Sequence, residues 1–226
     1  MSSKALGVIG GMGALATIEF LNIAYSMLSD VPEKHMRNLF VDISTDTPSR
    51  TLAYLGRGES PLASLLERVI KFQELGIRKI YLPCNSVHLW RDEVVSETGV
   101  NWPSIVEVSA EAVRKKNIKN NPKVLILGSA VTVGSDMYGK KMKCTYLSDQ
   151  VQSELESAIL NFKNGGLNAY SMVQSVMDEI RSISPDIIVN ACTELKFFSE
   201  LFEAGFPVVD SNTEYAKSLA ADLKVR

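Results

Sequence analysis

The sequence predicts an α/β fold of two pseudo-symmetric, doubly wound parallel-sheet domains with an interdomain cleft. Three observations carry that prediction. Short β-branched runs alternate with longer stretches of helical period, the pattern that builds parallel sheets covered by helices. The series restarts at Lys123-Val124-Leu125-Ile126-Leu127-Gly128. A polar stretch, residues 115–122, precedes the restart and ends in Pro122, which disfavours a continuing helix.

In chain order, Leu6-Gly7-Val8-Ile9 reads as a first strand running into Gly10-Gly11, and residues 14–28 as a helix. Residues 39–43 form a second strand. Pro61 suits the first turn of the next helix, whose apolar stripe is Leu62, Leu65, Leu66, Val69 and Phe72. Gly76 ends it, as a glycine after the last turn often does. Residues 79–82 make a third strand, and the β-branched run Ser104-Ile105-Val106-Glu107-Val108 predicts a fourth. In the second series the strands are residues 123–128, 145–147, 186–189 and 207–209. A helical region over residues 150–183 lies among them, broken at Asn164-Gly165-Gly166.

About eight strands fit two doubly wound domains, one long open sheet or a (β/α)8 barrel. The 226 residues fall below the roughly 250 typical of the barrel. Two domains are preferred: residues 1–100 with a returning C-terminal helix over 210–226, and residues 101–209.

Composition narrows the function. The chain has 24 Lys+Arg against 26 Asp+Glu, a formal net charge of −2, which argues against a nucleic-acid partner. Only three cysteines occur, a poor disulfide framework that fits a reducing cytoplasm. The start lacks the apolar core of a signal peptide, and no apolar run approaches a membrane span.

The cysteines then separate. Cys84 follows the strand Ile80-Tyr81-Leu82-Pro83 and Cys192 follows Ile187-Ile188-Val189-Asn190-Ala191; each is expected to open a helix. They lie 74 residues after Gly10 and 64 after Gly128, an approximate repeat of architecture. Ligands of open α/β sheets bind outside the carboxyl ends of strands, and a helix N-terminus favours thiolate. Two such thiols facing each other across a cleft would give a substrate Cα a base on one side and an acid on the other. The alternative is that each is a small apolar filler of the core. Cys144, beside an ordinary strand, reads as structural.

Gly10-Gly11-Met12-Gly13-Ala14-Leu15-Ala16-Thr17, Pro83-Cys84-Asn85-Ser86-Val87-His88 and Ala191-Cys192-Thr193-Glu194, together with Thr47-Pro48-Ser49-Arg50-Thr51 and the Lys163 region, resemble the aspartate/glutamate racemase family. The aspartate racemases are the most similar members. The order is right over nearly the whole chain. Ser86 stands where the family usually has Thr, Val87 where it has Ala, and Ala191 where it has Gly. The turn Ser129-Ala130-Val131-Thr132 departs further from the family's Thr/Gly-rich one.

The resemblance implies an L/D-aspartate (or glutamate) racemase without an organic cofactor or metal, usually a homodimer, with Cys84 and Cys192 as the two proton-transfer residues. It implies further that Arg50 and Lys163 bind substrate carboxylates, and by analogy that Cys84 serves the D-enantiomer and Cys192 the L-enantiomer. Taken alone, Arg50 has the planar fork that suits a carboxylate, and either cation is equally readable as a solvated surface charge. The glycine turn with Met12 offers close backbone approach to a small amino acid; it matches neither G-x-G-x-x-G nor a P-loop. Thr17 is helix surface or a support for that turn. Asn85, Ser86, Thr193 and Thr132 read as donors to substrate, the first three alternatively as helix caps. His88, four residues after Cys84, is an orienter, a core histidine or half of a metal site; Glu194 positions an amino group, tunes Cys192 or faces solvent. Rival functions are a cysteine-dependent decarboxylase or isomerase of the same superfamily, and an amino-acid-binding protein without turnover.

Overall fold

In the computed structural model, residues 5–116 and 118–225 are described; Asn117, within the polar stretch read as the start of the second half, lies outside them. The elements run β1 (Leu6–Gly10), α1 (Ala14–Ser26), β2 (Leu39–Ile43), α2 (Arg50–Tyr54), α3 (Leu62–Glu74), β3 (Lys79–Tyr81), α4 (Arg91–Thr98) and α5 (Ile105–Lys116). They continue with β4 (Val124–Gly128), α6 (Ala130–Gly134), α7 (Asp149–Lys163), α8 (Ala169–Ser175), α9 (Met177–Ile183), β5 (Ile187–Ala191), α10 (Ser199–Glu203), β6 (Val208–Asp210) and α11 (Ser211–Leu223). The chain divides into two compact units. One runs to Ile105 and resumes at Asn212, and the other is Val106–Ser211.

Each unit holds a three-stranded parallel sheet with flanking helices, an α/β fold. The first has the order β2-β1-β3, the second β4-β5-β6. Isolated parallel bridges complete a shared plan: Asn101 adds to the outer side of β3 at Lys79, and Thr145 to the outer side of β4 at Leu125. Each sheet therefore reads second, first, third, fourth. In the first unit the fourth strand has shrunk to a bridge, and in the second unit the second strand has.

Two of the expected strands are thereby corrected. Residues 104–108 are not a strand. Ile105 and Val106 open α5, where Ile105, Val106, Ser109, Ala110 and Val113 recur at helical spacing and are all buried. Burial of one helical face outweighed the β preference of a short β-branched run. Residues 145–147 reach only the bridge, held by Ile126 N to Thr145 O and Thr145 N to Val124 O. Ser148, still extended, is the cap position of α7, which starts at Asp149. The helical region between residues 150 and 183 is broken at Asn164-Gly165-Gly166 as expected, and again at Val176.

Both sheets are apolar on both faces, as parallel strands covered by helices are; β1, β4 and β5 are buried along their whole length. The first core joins Ile9, Leu65, Val69, Phe72, Ile80 and Trp102; the second joins Leu125, Leu127, Leu155, Ile159, Ile180, Ile188 and Phe202. Helix α11 closes the first unit. Tyr215 packs between Phe20 and Tyr81, with ring centroids 5.7 and 5.0 Å away, and Tyr81 Oη donates to Asp222. Among the described residues no helix is long and apolar enough to cross a membrane.

Candidate active site

The strand order places the two cysteines at corresponding points. In an open parallel sheet the chain winds outward to one side of the first strand and then crosses to the other. The crevice at that switch point receives ligands. In the first unit the switch lies between β1 and β3, so it is framed by Gly10–Gly13 and by Cys84, just after β3. In the second unit it lies between β4 and β5, framed by Gly128–Thr132 and by Cys192, directly after β5. Both thiols are free and buried.

The glycine turn of the first unit has no room for a side chain at Gly10 or Gly11. Gly11 has φ +86°, and a Cβ there would lie 2.1 Å from the Ser44 carbonyl oxygen; a Cβ on Gly10 would meet Thr17 at 2.3 Å. Thr17 is buried and its hydroxyl accepts from Gly11 N (3.2 Å) while donating to Gly13 O (3.0 Å), so it braces the turn. Thr132 occupies the corresponding place in the second unit. It is fully buried, in contact range of a Cβ built on Gly128, and its hydroxyl pairs with Ser129 Oγ at 3.2 Å. Thr132 thus supports the turn through its contact with Ser129.

Arg50 is anchored to the backbone around the glycine turn. Its guanidinium donates to the carbonyls of Thr47 (3.1 Å), Pro48 (2.9 Å) and Met12 (3.0 Å), tying the loop before α2 to the glycine turn. Three of the five guanidinium donors thus go to backbone oxygens. Its Nε is buried without a hydrogen-bond partner. Met12 thus contributes its carbonyl to Arg50, and its side chain is buried. Sequence reading missed Arg68, a buried arginine on α3 that ion-pairs with Asp42 and Asp46 and donates to Ser44 O. It fixes the segment against which Gly11 packs. A charged residue in the apolar stripe of α3 was the available signal.

Around Cys84 the predicted α-helix start is a 3-10 turn, Ser86–Trp90, with α4 following. The turn is short, which weakens the dipole argument for a thiolate. The Cys84 thiol meets a neutral partner, Ser86 Oγ at 3.3 Å. Asn85 is buried and makes no side-chain cap bond. His88 does not touch the thiol. Its Nδ1 lies 2.9 Å from the Cys84 carbonyl, which can only accept, and its Nε2 receives Ile105 N–H at 3.1 Å. That pairing makes it the neutral Nδ1–H tautomer. Burial pushes its pKa down to about 4.

Cys192 has a charged setting. It too precedes a 3-10 turn, Thr193–Phe198. Its Sγ donates to Glu194 Oε2 at 3.0 Å, as does Thr193 Oγ1 at 3.3 Å, while Lys163 Nζ, at the end of α7, lies 3.1 Å from Oε1. Glu194 is 3% exposed. Burial pushes the Cys192 thiol well above its ordinary value, the Glu194 carboxylate adds to that, and Lys163 opposes it. These surroundings favour the thiol at Cys192, where a helix start would favour the thiolate. Cys144 faces Tyr146 Oη at 3.5 Å, away from these groups. Among the described residues no group of three or more His, Cys, Asp or Glu is placed to hold a metal ion.

A free thiol at the switch point of each of two equivalent α/β units defines a class of protein. The chain belongs to the Asp/Glu/hydantoin racemase family, whose family model matches residues 9–219; at the level that family defines, it is an amino-acid racemase. It is 26% identical over 230 residues to the broad specificity amino-acid racemase RacX of Bacillus subtilis, covering 94% of this chain and 95% of that one. Among solved structures it resembles the aspartate racemase of Picrophilus torridus (TM-score 0.82, 25% identity, 96% of this chain and 94% of that chain). An aspartate racemase homologue from Pyrococcus horikoshii shares the fold (TM-score 0.70, 22% identity, 96% and 99% covered).

Proposed function

We propose that the chain interconverts the L- and D-forms of an amino acid by a two-base transfer at Cα, with Cys84 and Cys192 as the two proton-transfer residues. The observation that carries this reading is the placement of one free, buried cysteine at the switch point of each unit. A thiolate takes the Cα proton, forming an S–H bond as the C–H bond breaks; the other thiol then gives its proton to the opposite face of the carbanion. Neither step calls for an oxidant, and the thiols themselves supply the acid and the base. The scheme asks that both thiols reach one Cα.

Aspartate is the first substrate of this reading, on the likeness to the Picrophilus torridus aspartate racemase. One observation favours a second, broader reading: Arg50 gives three hydrogen bonds to backbone carbonyls and Lys163 pairs with Glu194, so each cation already has protein partners besides any side-chain carboxylate. The experiment that decides is incubation of each enantiomer of aspartate, glutamate and a set of neutral and basic amino acids in D2O. Deuterium entering Cα with loss of optical rotation is the expected result. Stable rotation without exchange for every amino acid sinks the racemase reading and leaves a decarboxylase or a binding protein.

The reading extends to a homodimer in the cytoplasm. Two reacting thiols have to stay reduced. On the first unit, β2 is an edge strand with Phe40, Val41 and Ile43 exposed, and α1 and α2 expose Leu15, Ile18, Leu52 and Tyr54, an apolar surface of the kind that partners cover. Light scattering in solution is expected to give twice the 24.9 kDa chain mass. A monomer at micromolar concentration removes the dimer.

A further inference from the structure

The two thiols are not equivalent. Cys84 faces a hydroxyl, Ser86 Oγ at 3.3 Å, whereas Cys192 faces a carboxylate, Glu194 Oε2 at 3.0 Å, which is itself 3.1 Å from the ammonium of Lys163. A carboxylate at that distance has no proton to give and can only accept, so the proton of the Cys192–Glu194 contact belongs to sulfur. A two-base racemase needs one thiolate and one thiol at the start of each turnover. The surroundings built by the sequence assign those states.

We propose that Glu194 is a positioning residue that holds Cys192 as the protonated thiol of the resting enzyme, with Lys163 as the counter-charge that steadies the site once that proton has left. For the enantiomer whose Cα–H faces Cys84, the resting state then has Cys192 as the acid and Cys84 as the base; its mirror image needs the proton moved to Cys84 first. The inference rests on the two-cysteine reading above and deepens it. When Cys192 has delivered its proton to carbon, a thiolate and a carboxylate stand side by side, and Lys163 is the cation placed to offset both. Cys84 then holds the proton taken from Cα. The starting state returns when Cys84 loses a proton to water and Cys192 takes one up. Proton count and charge balance over the cycle.

The groups facing Cys192 come from three segments: Glu194 in its own turn, Lys163 on α7, and Tyr138 after α6. Tyr138 is fully buried, and burial pushes its hydroxyl well above the ordinary tyrosine range, so it stays neutral near physiological pH. Of the charged pair, Glu194 stabilises the thiol and Lys163 the thiolate, so the two make opposite predictions.

The test reads the Cys192 thiolate directly, by its ultraviolet absorbance against pH, in a Cys84→Ser/Cys144→Ser background without substrate. Glu194→Gln is expected to lower the titration midpoint by about one unit or more, which is about tenfold more thiolate at any pH below it. Glu194→Asp is expected to retain much of the high midpoint, and Lys163→Met to move it further up. An unchanged midpoint in Glu194→Gln, or shifts of the same sign in Glu194→Gln and Lys163→Met, overturns the proposal. Because no amino acid is present, that failure is distinct from failure of the racemase reading, which shows as absent Cα exchange in the unmodified chain. With both active, Glu194→Gln in the otherwise unmodified enzyme should also split the directions: kcat and KM change by different factors for the two enantiomers, while their kcat/KM ratio stays fixed by the equilibrium.

Discussion

Replacing Cys84 or Cys192 by serine is expected to lower racemisation by roughly 10²–10⁴-fold in both directions, the range a positioned acid or base contributes. Each thiol is the base in one direction and the acid in the other, so losing either stops both. A hydroxyl in the same place is almost isosteric but far too weak an acid to form the anion near neutral pH. The discriminating readout is deuterium uptake at Cα. In each single variant the remaining cysteine still faces one enantiomer, so residual exchange without inversion is expected for that enantiomer and none for its mirror image. The two variants should show opposite preferences. Equal residual exchange of both enantiomers in one variant, or unimpaired racemisation in either, removes the two-base scheme. Cys144→Ser is the matching control, since Cys144 contacts only Tyr146 among these groups, and its rate is expected to match the parent chain.

The sequence made the cysteines legible because their signal is local. An apolar strand, a polar turn and a helix-period segment sit within about ten residues at both places, and the glycines that end β1 and β4 mark the other wall of each crevice. The strand-ending glycine also predicts that something packs closely there, which Thr17 and Thr132 do. What the sequence hid is pairwise and distant. Glu194 meets Lys163 from 31 positions away, and the Arg50 fork finds the Met12 carbonyl 38 positions back. No periodicity encodes such pairs. Arg50 was read from the resemblance and from its planar fork, and neither says that three backbone carbonyls will take donors from it. The run at residues 104–108 misled for the converse reason: its β-branched residues spoke for a strand. The apolar spacing out to Val113 carried the helix, and only a longer window holds that information. The 3-10 turns after both cysteines were equally hidden, because an α-helix start and a 3-10 turn use the same polar residues.

His88 is expected to make the stability of the chain fall as the pH drops from about 6.5 toward about 4. The imidazole is held neutral by two opposed bonds: Nδ1–H donates to Cys84 O, and Nε2 accepts from Ile105 N–H. The ring packs against Trp102 and Tyr215, with centroids 5.0 and 5.9 Å away. Protonation would place the ring's second N–H on Nε2, pointing at an Ile105 N–H that already donates there. The Pro103 carbonyl, 3.5 Å from Nε2, lies at the limit of hydrogen bonding and is already used by Tyr215 Oη at 2.7 Å. Burial therefore lowers the folded pKa to about 4, against about 6.5 in the unfolded chain. Between those values the unfolded state binds the extra proton. The contribution is fully present above pH 6.5 and drains away as the pH falls toward 4. At about pH 5 the loss relative to about pH 7.5 is about 2 kcal/mol. Urea unfolding at both pH values measures it, with His88→Phe as the reference that keeps a ring but cannot titrate. The variant is expected to be less stable at pH 7.5, where both hydrogen bonds are gone, and to lose about 2 kcal/mol less than the parent chain on acidification, because every other titrating group is common to the two. Parallel pH dependences would show that His88 titrates alike in the folded and unfolded chains. The Nδ1–H bond to the Cys84 carbonyl survives that protonation, so the acid loss falls on the bond from Ile105 N–H to Nε2 rather than on the Cys84 segment.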